Sequence, residues 1–257
     1  MLAGLFQAAA EYSAEREAIV SSAQLRDQIA QMPEISDPYK NLGKLDTIRV
    51  IAEIKRASPS RGHLAQISDP AAMARDYEQA GASAISLLTE RTGFRGSMED
   101  LQAVTDAVSI PVLRKDFISN EYQILDARAS GATLVLLILA HLNGKDFLRL
   151  HDFAHDLGMG VLVECHNESE LDTAAVAEAK LIGINTRNLE TFKTDIGLFE
   201  RLAGALPDTA IRVAESAVKS SADVASYRAA GADVVLVGEA LVTGDHKSLI
   251  RQFTSIS

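Results

Sequence analysis

The chain has 257 residues, 47% of them hydrophobic and 23% charged, with a formal net charge of −10. That length suits one soluble domain, and a closed barrel of alternating strands and helices needs roughly 250 residues. The acidic balance argues against nucleic acid or an anionic membrane as partner, so any site for an anion must gather its positive charge locally.

The first 45 residues stand apart from the rest. Leu2, Leu5, Phe6 and Ala9, then Ile19, Leu25 and Ile29, are spaced as apolar faces of helices that pack onto the remainder of the chain. Two roles are open to them, a cap on the bottom or side of the domain and a cover that shapes the mouth of a site. The segment lacks a basic leader and soon turns acidic, so it does not read as a secretory signal. No apolar run approaches the roughly 18 residues of a membrane span. A cytoplasmic location and a monomer are the expectations.

From residue 48 onward a pattern repeats. QAGASAISLLTE (79–90), ASGATLVLLILA (129–140) and AAGADVVLVGEA (229–240) each carry a Gly-Ala pair, one linking residue and a buried-strand run. Gly81, Gly131 and Gly231 sit where a helix ends and positive φ is cheap only for glycine. Between the runs lie amphipathic stretches, with Asp69 and Asn120 placed as N-caps. Strands are expected at 48–54, 83–88, 111–114, 133–139, 160–164, 181–185, 210–214 and 233–237, with helices between. Near-continuously apolar strands alternating with helices indicate a parallel sheet covered by helices. A count near eight at a spacing of about 20–35 residues favours an α/β fold of the (β/α)8 TIM-barrel type. Residues 1–257 then form one barrel domain, of which 1–45 is an N-terminal helical extension. Neither GxGxxG nor GxxxxGK[ST] occurs, which weakens dinucleotide and P-loop alternatives. His151 and His155, at i, i+4 beside Asp152 and Asp156, read as a solvated helix face rather than a metal site. The single cysteine, Cys165, excludes an internal disulfide.

In such a barrel the chemistry sits at the C-terminal ends of the strands. The first strand ends in VIAEIKRASPS, which puts Glu53 and Lys55 on one face and Ile54 on the other. The third ends in PVLRKDF, giving Lys115. The fifth ends in VLVECH, giving Glu164 with Cys165 turned away. The sixth ends in IGINTRN, where Asn185 and Arg187 share a face. The seventh gives Glu215 and Ser216, and the eighth gives Gly238 and Glu239. Three cations (Lys55, Lys115, Arg187) converging with three carboxylates (Glu53, Glu164, Glu215) would tune one another's pKa values toward acid and base work. Phosphate sites of this fold come from the loops after strands seven and eight. Here those loops supply backbone N–H groups at Ser216–Ala217 and Gly238–Glu239, to which Ser58 could add a hydroxyl.

Seven of these motifs occur in one consistent order: VIAEIKRASPSRG, the FRGS of 94–97, PVLRKDF, LVECHNESEL, LIGINTRNL, VAES and GADVVLVGEAL. Together they resemble the indole-3-glycerol phosphate synthases of tryptophan biosynthesis, from about residue 48 to the C-terminus. The resemblance implies conversion of 1-(2-carboxyphenylamino)-1-deoxy-D-ribulose 5-phosphate into indole-3-glycerol phosphate, CO2 and water, with a small phosphorylated substrate and neither cofactor nor metal. It implies Lys115 as general acid and Glu164 as base. It implies Lys55 on the substrate carboxylate or phosphate and as proton donor in the dehydration, with Glu53, Asn185 and Glu215 as orienting residues. It further implies Arg187 and Ser216 as lining residues, Ser58, Ala217, Gly238 and Glu239 around the phosphate, and Phe94 and Phe117 around the aromatic ring. Ordinary core aromatics remain an equal reading of the two phenylalanines.

One departure stands out. The family usually has Glu-Ser-Gly after the seventh strand, whereas this chain has Glu215, Ser216 and Ala217. Three rival readings stay open: a Schiff-base aldolase with Lys115 as nucleophile, a neighbouring pathway isomerase (though Glu53 stands where that enzyme has cysteine), and a non-catalytic binding relative. No fused isomerase is expected after the eighth helix.

Overall fold

A computed structural model describes residues 2–188, 191 and 193–257. Among the described residues eight strands form the barrel, in chain order β1 (Arg49–Ile54), β2 (Ala84–Leu88), β3 (Val112–Lys115), β4 (Leu134–Ile138), β5 (Gly160–Cys165), β6 (Leu181–Asn185), β7 (Ile211–Glu215) and β8 (Val234–Val237), and a two-residue pair, Ala57–Ser58 with Gly62–His63, lies in the loop after β1. Each barrel strand pairs in parallel with its sequence neighbours, and β1 pairs with β8 as well as β2, so the sheet closes. Every expected strand forms within one residue of its expected bounds. The helices between them are α3 (Pro70–Ala80), α4 (Met98–Thr105), α5 (Glu121–Ala129), α6 (Gly144–Asp156), α7 (Glu168–Val176), α8 (Gly197–Ala203) and α9 (Ser221–Ala229). The chain closes with a short α10 (Glu239–Thr243) and α11 (His246–Thr254), and opens with α1 (Leu2–Glu17) and α2 (Ser22–Ile29). This is a (β/α)8 TIM barrel with an N-terminal helical extension. Among the described residues no helix is long and apolar enough to cross a membrane.

Local chemistry starts and stops the helices as the sequence requires. Asp69 and Asn120 accept from the backbone N–H three residues on, and Asn120 forms a capping box with Gln123. Gly81, Gly131 and Gly231 all take positive φ (105°, 84° and 93°), turning the chain from helix to the next strand.

Strand alternation divides the core in two. Val50, Ala52 and Ile54 of β1 pack outward against helices, as do Val161, Val163 and Cys165 of β5. Ile51, Leu113, Leu136, Leu162, Leu181, Val213 and Leu236 fill the lumen. Each such buried aliphatic is worth about 1.5–3 kcal/mol of transfer free energy, so register is strongly enforced. The face that carries these lumen aliphatics carries Glu53, Lys115, Glu164 and Glu215 one pleat above Ile51, Leu113, Leu162 and Val213, and Asn185 two pleats above Leu181, past Gly183.

The N-terminal extension takes both roles that its spacing left open. Phe6 of α1 lies edge-on to Phe117 with ring centroids 5.3 Å apart, and stacks on His141 at 3.8 Å. Farther along, Tyr39 sits under the barrel, where its Oη accepts the Val161 N–H at 2.9 Å, and Leu42 is buried with the lumen residues. Arg16 of α1 forms a two-pronged ion pair with Asp126 of α5 (2.6 and 2.8 Å).

One expectation is corrected here. His151 is not on a solvated face but 5% exposed, packed on Phe147 at 5.5 Å between centroids. Burial lowers its pKa, and that of His155 beside it. The flanking aspartates suggested a wet face because they lie on the outer side of the same turn.

Candidate active site

The C-terminal mouth of the barrel opens into a cavity of about 570 Å3, within the range usual for small-molecule sites. Its floor is the charged layer just above the lumen aliphatics. Lys115 Nζ lies 3.4 Å from Glu164 Oε2 and 3.7 Å from Glu215 Oε2. Lys55 Nζ lies 2.6 Å from Glu53 Oε1. Asn185 donates through Nδ2 to Glu164 Oε1 at 3.0 Å, while its Oδ1 accepts from Ser216 Oγ at 2.8 Å and from the Arg187 N–H at 3.0 Å. Asn185 therefore ties the carboxylate of one strand to the loop after another. Glu53, Glu164 and Glu215 are 3%, 1% and 1% exposed, so these carboxylates face the barrel interior and not solvent.

Burial and charge compete at each group. Burial works to lower the Lys115 pKa, but Glu164, Glu215 and Glu53 outweigh it and hold the ammonium above its ordinary value. Burial works to raise Glu164, but Lys115, His166 and Asn185 outweigh it and keep this carboxylate ionised well below the usual range. Burial also raises Glu53, and there Lys55 and Lys115 win, so its pKa falls. Glu215 goes the other way: burial and the neighbouring Glu164 charge push it up to about 8. Its Oε1 has no hydrogen-bond partner among the described residues. Two carboxyls of different protonation thus flank one lysine, an arrangement that suits acid–base work.

All fourteen side chains or backbone positions singled out in the sequence line this cavity: Glu53, Lys55, Ser58, Phe94, Lys115, Phe117, Glu164, Asn185, Arg187, Glu215, Ser216, Ala217, Gly238 and Glu239. Phe94 and Phe117 tilt toward each other at 6.0 Å on one wall. Arg187 departs from the expected convergence of cations on carboxylates. Its Nη1 donates instead to Ser60 Oγ at 3.3 Å, reaching the loop after β1. Glu239 contributes more than a backbone group, since its carboxylate holds Arg61 at 2.8 Å across the mouth.

Sequence reasoning missed Ser60, Arg61, Lys219 and His166. The first three lie on loops, where no periodicity reports direction. His166 was legible, because it stands two residues after Glu164 and the same alternation returns it to the Glu164 side. Among the described residues no three His, Cys, Asp or Glu side chains gather as metal ligands.

Comparison with known proteins decides the family. The family model described as indole-3-glycerol phosphate synthase matches residues 3–253. The chain is 53% identical over 256 residues to the indole-3-glycerol phosphate synthase of Leifsonia xyli subsp. xyli, covering 100% of this chain and 97% of that one. It is 52% identical over 243 residues to that of Mycolicibacterium gilvum, covering 94% and 89%. The chain belongs to the indole-3-glycerol phosphate synthase family.

The family name gives meaning to the backbone beside the charged layer. Ser216 and Ala217 both take left-handed φ, 72° and 62°. A residue with a β-carbon is strained there by about 1–2 kcal/mol, and at Ala217 the resemblance leads to the expectation of glycine. Tyr227 Oη donates to the Ser216 carbonyl at 3.2 Å and so helps hold the strained pair. Gly238 is required for a different reason. A β-carbon there would overlap the Glu53 carboxylate and come within 2.9 Å of Lys55 Nζ.

Proposed function

We propose that this cavity closes the indole ring of 1-(2-carboxyphenylamino)-1-deoxy-D-ribulose 5-phosphate, with Lys115 as general acid and Glu164 as base. The observation that carries the proposal is the Lys115 ammonium held charged between Glu164 and Glu215 at the floor of the cavity. Attack of the carboxyl-bearing ring carbon on the ketone carbon develops negative charge on the ketone oxygen. A fixed ammonium stabilises that charge more than the ground state and delivers the proton. Loss of CO2 then restores the aromatic ring. In the dehydration Lys55 gives a proton to the departing hydroxyl, and Glu164 takes one from the carbon beside the ring nitrogen. The balance is one proton taken up from solvent, matching the carboxylate lost as neutral CO2.

Binding divides between the two ends of the cavity. Phe94 and Phe117 flank the aromatic ring, with Arg187 lining the same site. The phosphate is held by Ser58 and by N–H groups at Ser216–Ala217 and Gly238–Glu239, where a short helix begins. Lys55, paired to Glu53, lies within reach of either substrate anion. A Schiff-base reading is disfavoured, because that chemistry needs a neutral amine and the surrounding carboxylates hold Lys115 charged. The test is to add the carboxyphenylamino substrate and follow indole fluorescence. Activity that Lys115→Met leaves intact, or borohydride trapping of substrate on Lys115, would overturn these roles.

A further inference from the structure

Glu164 has more positive charge around it than the proposed chemistry uses. Besides Lys115 on Oε2 and Asn185 on Oε1, His166 Nε2 stands 3.4 Å from Oε1. His166 follows the end of β5 by one residue, and its ring is fixed from the far side. Glu170, in the first turn of α7, places Oε2 3.2 Å from His166 Nδ1, and the same oxygen accepts the His166 backbone N–H at 2.7 Å. Glu170 Oε1 in turn accepts from Asn167 Nδ2 at 2.7 Å, and Asn167 caps α7. His166 Nε2 is buried and makes no hydrogen bond of good geometry. It is aimed at the base without being fully engaged.

We propose that His166 is a positioning residue for Glu164: an imidazolium held between Glu170 and Glu164 keeps the base ionised and in place when Lys115 turns to the substrate. The inference rests on the reading of Glu164 as base. Once Lys115 has given up its proton, Glu164 loses one of the two cations that stand 3.4 Å from it. A buried carboxylate that loses a neighbouring cation is pushed toward protonation by its burial. His166 is then the cation left on that carboxylate. Its own charge follows from its surroundings. Burial works against it, but Glu164 from β5 and Glu170 from α7 face its two nitrogens and push its pKa up to about 10. Across Glu164 stand, among the described residues, Lys115 of β3, Glu215 of β7 and the neutral amide of Asn185 of β6.

The test uses the full-length chain and two variants. His166→Gln keeps an amide that can donate to Glu164 and removes the charge. The acid limb of its kcat profile should move up by about one pH unit, a loss of up to about tenfold on the acid side of that limb that closes at higher pH, with KM little changed. Glu170→Gln keeps the backbone acceptor and frees the imidazolium to titrate, so a new loss of activity should enter on the alkaline side. An unmoved acid limb in His166→Gln overturns the proposal, as does an unmoved alkaline limb in Glu170→Gln. The second variant carries the test alone if the first does not fold. Glu164→Gln separates the two levels: retained activity there would remove the base itself, whereas an inactive Glu164→Gln with both profiles unmoved removes only His166.

Discussion

The two ends of the cavity are built by different means. At the proposed acid–base end, Lys115, Glu164 and Glu215 project from strands, each above an aliphatic one pleat below (Leu113, Leu162 and Val213), and Asn185 stands above Gly183. At the end proposed to hold the phosphate, the groups are backbone N–H donors on loops, two of them in left-handed conformation at Ser216 and Ala217. Strand register fixes which side chains meet at the first end, whereas loop backbone at the second tolerates left-handed strain. Damage to the first end should appear in kcat, and damage to the second in KM.

The strongest way to test that division is Lys115→Met. Loss of the general acid should lower kcat by about 10²–10⁴-fold with little change in KM and an unchanged circular dichroism spectrum. Gly238→Ala addresses the seam between the ends. Its β-carbon displaces the Glu53–Lys55 pair, and a shift of about 1 Å in a catalytic group costs on the order of 100-fold in kcat/KM. A variant with normal kinetics would mean that the pair is not needed in its observed place.

A smaller effect concerns pH and stability. Glu215 has a raised pKa in the folded chain, so between the ordinary carboxylate range and about 8 the folded state holds a proton that the unfolded state has lost. Stability from this group is therefore greatest at low pH and falls as pH rises through that window. Glu215→Gln should remove the penalty. Its Tm should exceed that of the parent by a few °C near pH 8.5, the scale of about 1 kcal/mol, and by less near pH 5. An equal Tm difference at both pH values would contradict the assignment of the proton to Glu215.

The smallest effect falls at the phosphate end. Ala217→Gly relieves left-handed strain but loosens the unfolded chain, and the two nearly cancel in Tm. Withdrawal of the methyl from the backbone cradle should lower KM about threefold, less than 1 kcal/mol, with kcat unchanged. An unchanged KM would remove the idea that Ala217 weakens phosphate binding.

The sequence by itself determined the barrel and the inward face of each strand end. A period of two within strands and a repeating Gly-Ala helix exit are local signals, and burial of one face enforces both. Glu53, Lys115, Glu164, Asn185 and Glu215 were legible for that reason, as aliphatics fix the face each occupies. Only the tertiary structure decided which of these groups touch, because pairing across the lumen depends on strand order and stagger. It sends Arg187 to Ser60 rather than to Glu53, Glu164 or Glu215, buries His151, lets the N-terminal extension both back Phe117 and plug the barrel floor, and joins His166 to Glu164. It also makes Glu164 and Glu215, two identical side chains at the ends of their strands, into one ionised and one protonated carboxyl. Their difference comes from the neighbours each meets across the lumen, which no periodicity along the chain encodes.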